Sequence, residues 1–339
     1  IIDTAKLFSY KFNDDIFKKI NIVPEGKNHG MVILLDWSGS MAETTKLVEC
    51  FKQVLSTVLF CKKMNIPFKV FLFGCEVNAS RLEYAPDRFY DYFINHKIYD
   101  IKTYESHYQI VEILNSEMNK NDFNLVLEYF ASCSNTLIPS PFNFGGTPLT
   151  EACHTIDYVI ENFKQTHKIE ISNLMVVTDG INNEINTYMS GKYNTYFNDD
   201  EIIMIRDNKT KKLYKADNRT VGMLTAKLNM IRDKHNCNII GFFLGESYDI
   251  SGIIYKYAKN SEADTIKKQL KNKSCATIFN CGYQEYHIVN VREIKNDIII
   301  NDAKTTRGLA SSFNKFLRKK NLNKLVLSKF TETISKQVV

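Results

Sequence analysis

Three oxygen-bearing side chains follow one short apolar run near the start of the chain. The apolar run MVILL (31–35) leads directly into Asp36, Ser38 and Ser40 within the stretch DWSGSM. A strand that ends in this way delivers a carboxylate and two hydroxyl groups to one place. Such oxygen ligands favour a hard cation, and a small site that retains water favours magnesium.

Two later segments carry matching chemistry. Thr147 follows two glycines in the stretch GGTPL. Asp179 is the aspartate of the stretch TDG, which comes directly after the apolar run LMVV. In an open parallel sheet the ligand site lies beyond the carboxyl ends of the strands, so these side chains are expected to converge with Asp36. None of the segments contributes an imidazole or a thiolate, and we predict a site for Mg²⁺ or Mn²⁺.

A structural role is the alternative for each of these residues alone, because Ser, Thr and Asp often only cap helices and stabilise turns. The three segments together favour metal binding. We expect no catalytic residue and no organic cofactor, since the chain lacks H-E-x-x-H, G-x-S-x-G and a Walker A motif. Any ATP turnover would therefore come from a partner.

The elements that must position these residues are predicted from apolar patterning. Continuous apolar runs at 31–35, 68–73, 173–177 and 238–244 are typical of strands buried on both faces. Helical spacing appears between them, over 47–59, 149–163 and 220–235, the second with Thr147 as N-cap and Pro148 in the first turn. This alternation predicts an α/β fold: a doubly wound, mostly parallel sheet flanked by helices.

We divide the chain into three parts. They are an N-terminal arm (1–28), a main domain (29–300) and a C-terminal helical extension (301–339) with helices near 306–319 and 321–337. The main domain is expected to carry insertions at about 75–145 and 182–218, the latter with a β-hairpin over 200–217. We hypothesise that this hairpin and residues 75–108 form a wall that selects a partner.

Some single residues admit two interpretations. Trp37, the only tryptophan, either anchors a partner or lies against the sheet. For His29 and His154 we favour structural roles over metal binding. The basic stretch 315–324 is most simply a solvated helix face.

Composition limits the classes of partner. The net charge of +6 is spread along the chain, so no nucleic-acid partner is expected. Eight cysteines occur without a C-x-x-C pair, which favours reduced thiols in a cytoplasmic protein, and no apolar run is long enough to predict a membrane span. Because the chain begins with Ile1 rather than Met, we expect a preceding segment.

The order D-x-S-x-S, then GGTPL, then TDG resembles the metal-ion-dependent adhesion site of von Willebrand factor A (VWA) domains. The resemblance covers about 31–245. It implies that the hydroxyls of Ser38, Ser40 and Thr147 reach the metal directly or through water. It also implies that Asp36 and Asp179 hold coordinated waters, and that an acidic side chain of another protein takes an open metal position.

The arm IDTAKLFSYKFNDDIFKKI before GMVILLDWSGSM is similar to the CobT-type subunit of aerobic cobaltochelatase and to its relatives in large tailed bacteriophages. This narrower resemblance implies a MoxR-type (CobS-like) AAA+ ATPase as partner and a location in the host cytoplasm. The leading function is then a magnesium-dependent adaptor. The alternatives are a genuine subunit of a cobalt-inserting chelatase and a metal-dependent hydrolase or peptidase.

Overall fold

A computed structural model describes residues 28–42, 44–75, 98–102, 107–132, 145–180, 182, 203–216, 221–273 and 275–290. Two sheets form within these ranges. The strands of the large sheet are β1 (His29–Asp36), β2 (Phe68–Cys75), β3 (Ile98–Lys102), β4 (His107–Asn115), β5 (Ile171–Thr178), β8 (Cys237–Gly245), β9 (Cys275–Phe279) and β10 (Glu285–Asn290). A separate hairpin contains β6 (Ile203–Arg206) and β7 (Leu213–Ala216).

The large sheet has the order β3-β4-β2-β1-β5-β8-β10-β9. Its central strands β2, β1, β5, β8 and β10 run parallel, whereas β4 and β9 pair antiparallel with their neighbours at either side. The direction in which successive strands are added reverses at β1. The predicted fold class, a doubly wound and mostly parallel α/β sheet, is therefore confirmed.

Helices cover both faces of this sheet. They are α1 (Thr44–Lys63), α2 (Lys120–Ser132), α3 (Leu149–His167), α4 (Val221–His235), α5 (Ser247–Tyr257) and α6 (Asn260–Lys273). Met31, Ile33 and Leu35 of β1 join one buried cluster with α1 and α2, whereas Val32 and Leu34 join a second cluster with α3 and α4. Burial on both faces explains why the strand is continuously apolar.

The segment 75–145, which the sequence predicted to be an insertion, contributes directly to the domain. β4 pairs with β2 from Lys69↔Asn115 to Cys75↔Tyr108. Phe123, Val126 and Tyr129 of α2 are buried in the same cluster as α1. At least β4 and α2 are thus parts of the main sheet and its core.

Two predicted parts of the chain lie outside the described residues. They are the N-terminal arm 1–28, apart from its last residue, and the helices predicted after residue 300.

The start of α3 differs from the prediction by one position. Pro148 rather than Thr147 is the N-cap residue, and it makes no capping hydrogen bond through its own side chain. A proline N-cap has no side-chain oxygen to accept a hydrogen bond from the first turn. The hydroxyl of Thr147 is consequently not used as a helix cap.

The predicted hairpin is present, and it packs against the outer side of α4. Tyr214 and Ala216 of β7 form a small buried cluster with Met223, Ala226 and Met230. Its turn is attached by ion pairs from Lys209 to Glu161 and from Lys212 to Asp233. Glu161 lies twelve residues along α3 from Leu149, or about 18 Å. The turn is therefore far from the start of α3, and partner selection by the hairpin stays a prediction.

Among the described residues, no helix combines the length and apolarity needed to cross a membrane. Six cysteines are described as free thiols, four of them buried.

A buried ion cluster holds α3 against α4. Asp157 accepts from Lys227 Nζ at 2.9 Å, from Lys234 Nζ at 3.0 Å and from His235 Nε2 at 2.6 Å. Burial acts to raise the pKa of Asp157, but the hydrogen bond from His235 and the charge of Lys227 outweigh it and hold the pKa well below its usual value. The ionised carboxylate therefore stabilises the fold at every pH above its ordinary pKa.

We expect Asp157→Asn to lower the free energy of unfolding at pH 7 by about 3 kcal/mol, because it leaves a buried ammonium without its counter-ion. The control is Asp233→Asn, which removes a more exposed carboxylate that pairs with Lys212 and should cost about 1 kcal/mol or less. Urea unfolding followed by circular dichroism measures both. Equal losses in the two variants would show that the Asp157 cluster does not hold the helices together.

Candidate metal site

The predicted site residues meet at the carboxyl edge of the sheet, where the strand order reverses. Asp36 is the last residue of β1, and Asp179 follows β5, the parallel neighbour of β1. The register pairs Leu35 with Val177, so the two strands end side by side. This is the position at which open α/β sheets bind ligands.

Asp36 is fully buried and its carboxylate is held at both oxygens. The backbone N–H of Ser38 donates to Oδ1 at 2.8 Å, and the hydroxyl of Thr178 donates to Oδ2 at 2.5 Å. Thr178 also accepts from the backbone N–H of Gly180 at 3.0 Å. Sequence analysis missed Thr178, although its place before Asp179 in TDG was the available signal.

The two serines connect the end of β1 to Asp179. Ser38 Oγ lies 3.1 Å from Ser40 Oγ, and Ser40 Oγ donates to Asp179 Oδ1 at 2.7 Å. Ser38 and Asp179 are buried, whereas Ser40 is exposed. The polar cluster is therefore buried where it meets the ends of the strands and is exposed to solvent at Ser40.

Thr147 is brought to the same cluster by a contact between loops. The backbone N–H of Gly39 donates to the carbonyl of Gly145 at 2.8 Å, which joins the loop after β1 to the GGTPL turn. A Cβ at Gly180 would lie 2.6 Å from Thr147 Oγ1 and 3.4 Å from Asp36 Oδ2. Both oxygens thus flank Gly180, and only glycine leaves room for them. All five predicted ligands are brought together.

Beyond the site, Asn182 of the segment after β5 fastens the start of α3. The side-chain oxygen of Asn182 accepts from the backbone N–H of Thr150 at 3.0 Å, and its amide donates to Thr150 Oγ1 at 2.9 Å. These bonds hold the two loops that carry Asp179 and Thr147 against each other. The sequence offered no signal for this pairing.

The electrostatics of the site are dominated by its two carboxylates. Burial raises the pKa of Asp36 to about 7, and the negative charge of Asp179 adds to the rise, against hydrogen bonds from Thr178 and Ser38. Burial likewise raises the pKa of Asp179, against the hydrogen bond from Ser40 and the charge of Lys46. Both carboxylates are therefore harder to ionise than an ordinary aspartate. Such a pair is expected at a site that takes up a cation.

The donor set fits a hard divalent cation. It consists of two carboxylates and three hydroxyls, the oxygen chemistry that Mg²⁺ prefers. No described residues form a group of three or more His, Cys, Asp or Glu that could hold a metal. Any cation here must therefore rely on hydroxyl groups and water as well as on Asp36 and Asp179.

Lys46 is a further member of the site that sequence analysis missed. It is buried on α1, and its ammonium lies 3.3 Å from Asp179 Oδ2 and 3.4 Å from Asp249 Oδ2 of α5. No pattern near Lys46 in the sequence signals this role, because both partners are distant along the chain.

Trp37 lies against the sheet with 2 % of its surface exposed, so the interpretation as a partner anchor is wrong. Its backbone N–H donates to the carbonyl of Phe73 at 2.8 Å, which binds the loop to β2. His29 begins β1 and is therefore at the opposite end of the strand from Asp36. It takes no part in this site, as expected.

Comparison of the sequence with known protein families and with curated proteins finds no match. Several solved structures are similar, among them the following three. The open form of the pilus adhesin SpaC of Lactobacillus rhamnosus GG is 10 % identical, with a TM-score of 0.40, 90 % of this chain covered and 31 % of that one. This chain thus spans about a third of that adhesin.

The other two structures differ in the share of their length that aligns with this chain. The vWF domain of the type V pili tip protein Mfa5 from Porphyromonas gingivalis is 9 % identical, with a TM-score of 0.37, 88 % of this chain covered and 98 % of that one. Human COPII-coat protein Sec24c is 10 % identical, with a TM-score of 0.29, 68 % of this chain covered and 28 % of that one. The strand order and the site geometry, rather than these likenesses, carry the conclusions below.

We expect Asp36 to make the metal-free protein less stable as pH rises. Between its ordinary pKa of 3.8 and its folded pKa of about 7, the unfolded chain has released a proton that the folded chain retains, so the free energy of unfolding falls through this range. The loss that Asp36 contributes between pH 4.5 and pH 8 is on the order of 3 kcal/mol, and Asp36→Asn should remove it and leave only the part that the raised pKa of Asp179 contributes. Urea unfolding in EDTA at pH 4.5 and at pH 8 measures the difference, and parallel losses in both proteins would contradict it.

Proposed function

We propose that this chain is a magnesium-dependent protein-binding module of the VWA type. Asp36, Ser38, Ser40, Thr147 and Asp179 would hold the cation, and an acidic side chain of a partner would complete its coordination. The observation that supports this most directly is the meeting of two buried carboxylates and three hydroxyls from three separate segments at one edge of the sheet.

The negative charge of the site explains why a cation would bind there, and the charge of the bound cation explains why a partner carboxylate would bind next. When bound, the cation would supply a positive position that attracts a carboxylate from another protein. The chain's own residues provide two negative charges at Asp36 and Asp179, so a divalent ion would be close to neutralised. A partner carboxylate could then replace a water without meeting strong repulsion.

Among the five proposed ligands, Ser40 is the residue that a partner could reach from solvent. Asp36, Ser38, Thr147 and Asp179 are buried, whereas Ser40 is exposed. The backbone of the loop around Ser40 is tied to the GGTPL turn through Gly39 and Gly145, so this side is preorganised. Preorganised polar groups lose little entropy when they bind, which favours a reversible clasp.

A narrower proposal concerns the partner. The resemblance of residues 2–41 to CobT-type subunits and their phage relatives supports a MoxR-type AAA+ ATPase as the protein that binds here. The chain would then act as an adaptor between this ATPase and a client, with ATP turnover in the partner. The residues before 28, which carry part of this resemblance, lie outside the described structure.

We expect Asp36→Ala to abolish Mg²⁺ binding in calorimetric titration and to prevent capture of a MoxR-type ATPase. Chelation with EDTA should release the ATPase from the wild-type protein to the same extent. The matched control is Asp264→Ala on α6, which removes an exposed carboxylate and should change neither result. Circular dichroism verifies that each variant is folded.

The outcomes separate the general proposal from the narrow one. Loss of Mg²⁺ binding in Asp36→Ala without any capture of the ATPase by the wild-type protein would retain the metal site and reject this partner. Wild-type protein that binds no Mg²⁺, or Asp36→Ala that binds it equally well, would reject the metal-dependent module itself.

A further inference from the structure

Lys46 joins the candidate metal site to a separate helix. Its side chain is only 8 % exposed, and its ammonium contacts Asp179 at 3.3 Å and Asp249 at 3.4 Å. Asp179 is one of the proposed ligands, whereas Asp249 belongs to the first turn of α5. A single buried charge is thus shared between the metal site and α5.

Asp249 also caps the start of α5, so its contact with Lys46 affects this helix. The backbone N–H of Glu246, the N-cap residue of α5, donates to Asp249 Oδ2 at 3.2 Å as part of a capping box. The same oxygen accepts from Lys46. Any change in how strongly Lys46 interacts with Asp249 therefore acts on the capping bond that begins α5.

A divalent cation at the site would change that interaction. Lys46 is stabilised by two carboxylates, and a cation that binds Asp179 would neutralise one of them and repel the ammonium. Removing a buried charge from its partner is costly, so the ammonium needs another counter-ion. Asp249 is a second carboxylate that the ammonium already contacts.

We propose that Lys46 is a positioning residue that transmits the presence of the cation to the first turn of α5. Without the cation, the ammonium is shared between Asp179 and Asp249. With the cation bound, it pairs with Asp249 and tightens the start of the helix. This inference rests on the proposed function, since it requires a cation at Asp179.

The affected turn lies at the protein surface. Tyr248, directly before Asp249, is 90 % exposed, and Tyr255, seven residues later, is 85 % exposed. Residues seven apart lie on the same face of a helix, about 10 Å from each other. The cation would thus control the order of a surface turn that carries the exposed side chain of Tyr248.

The test uses substitutions that shift the cation affinity in opposite directions. Lys46→Met removes the competing charge, so Mg²⁺ should bind about tenfold more tightly. Asp249→Asn removes the carboxylate that competes with Asp179 for the ammonium, so Lys46 should hold Asp179 more strongly and Mg²⁺ should bind about tenfold more weakly. Lys46→Arg retains the charge and should behave more like the wild type. The matched control is Lys69→Met, which breaks a different ion pair, with Glu112 at 2.7 Å.

Two measurements follow these variants. Mg²⁺ titration is read by calorimetry and by the fluorescence of Trp37, the single tryptophan, which lies between Asp36 and Ser38. Hydrogen exchange reports the backbone N–H of Ile250, which donates to the carbonyl of Glu246 at 2.9 Å in the first turn of α5. Mg²⁺ should slow this exchange several-fold in the wild type and in Lys69→Met, and leave it unchanged in Lys46→Met and Asp249→Asn.

A simple structural role for Lys46 predicts a different result. In that case both substitutions would loosen the protein, and neither would shift the Mg²⁺ affinity in the opposite direction to the other. An affinity that falls or stays constant in Lys46→Met, or a slowing of exchange at Ile250 that persists there, overturns the inference while the metal-binding proposal stands. Absence of Mg²⁺ binding in the wild type and in Lys46→Met overturns both.

Discussion

The repulsion between two buried carboxylates is the constraint around which this end of the molecule is organised. Parallel pairing of β1 and β5 brings Asp36 and Asp179 to the same edge, and burial prevents water from screening them. Hydroxyl groups from Thr178 and Ser40 donate to them, and Lys46 supplies one positive charge. These partners leave the site with more negative than positive charge, which is the condition that a divalent cation would relieve.

The ion cluster at Asp157 shows the opposite balance. There one carboxylate accepts from Lys227, Lys234 and His235, and its pKa falls, whereas the pKa of Asp36 rises to about 7. The first arrangement is complete and joins two helices. Among the described residues, the second has fewer positive charges than carboxylates, and it lies at the carboxyl edge of the sheet. This difference in the number of positive charges per carboxylate supports a structural role for the first cluster and the proposed binding role for the second.

The close packing of the sheet offsets the free-energy cost of burying two carboxylates at its edge. The side chains of β1 are buried alternately on both faces, with Ile33 and Leu34 in different clusters, so the position of Asp36 is set by packing on two sides. Close packing of this kind costs several kcal/mol to disrupt, enough to hold carboxylates in an environment that raises their pKa. Lys46 adds a route by which a change at this rigid edge reaches α5.

Sequence alone determined the central strands and the five residues of the candidate metal site, because both follow from local patterns. Continuous apolar runs predicted β1, β2, β5 and β8, and the Asp, Ser and Thr residues at the ends of β1 and β5 and before α3 predicted which side chains meet. Only the tertiary structure decided the burial of Trp37, the place of β4 in the main sheet and of α2 in its core, and the contacts of Lys46. Lys46 meets partners 133 and 203 positions away, and contacts at such separation depend on the whole fold rather than on neighbouring residues.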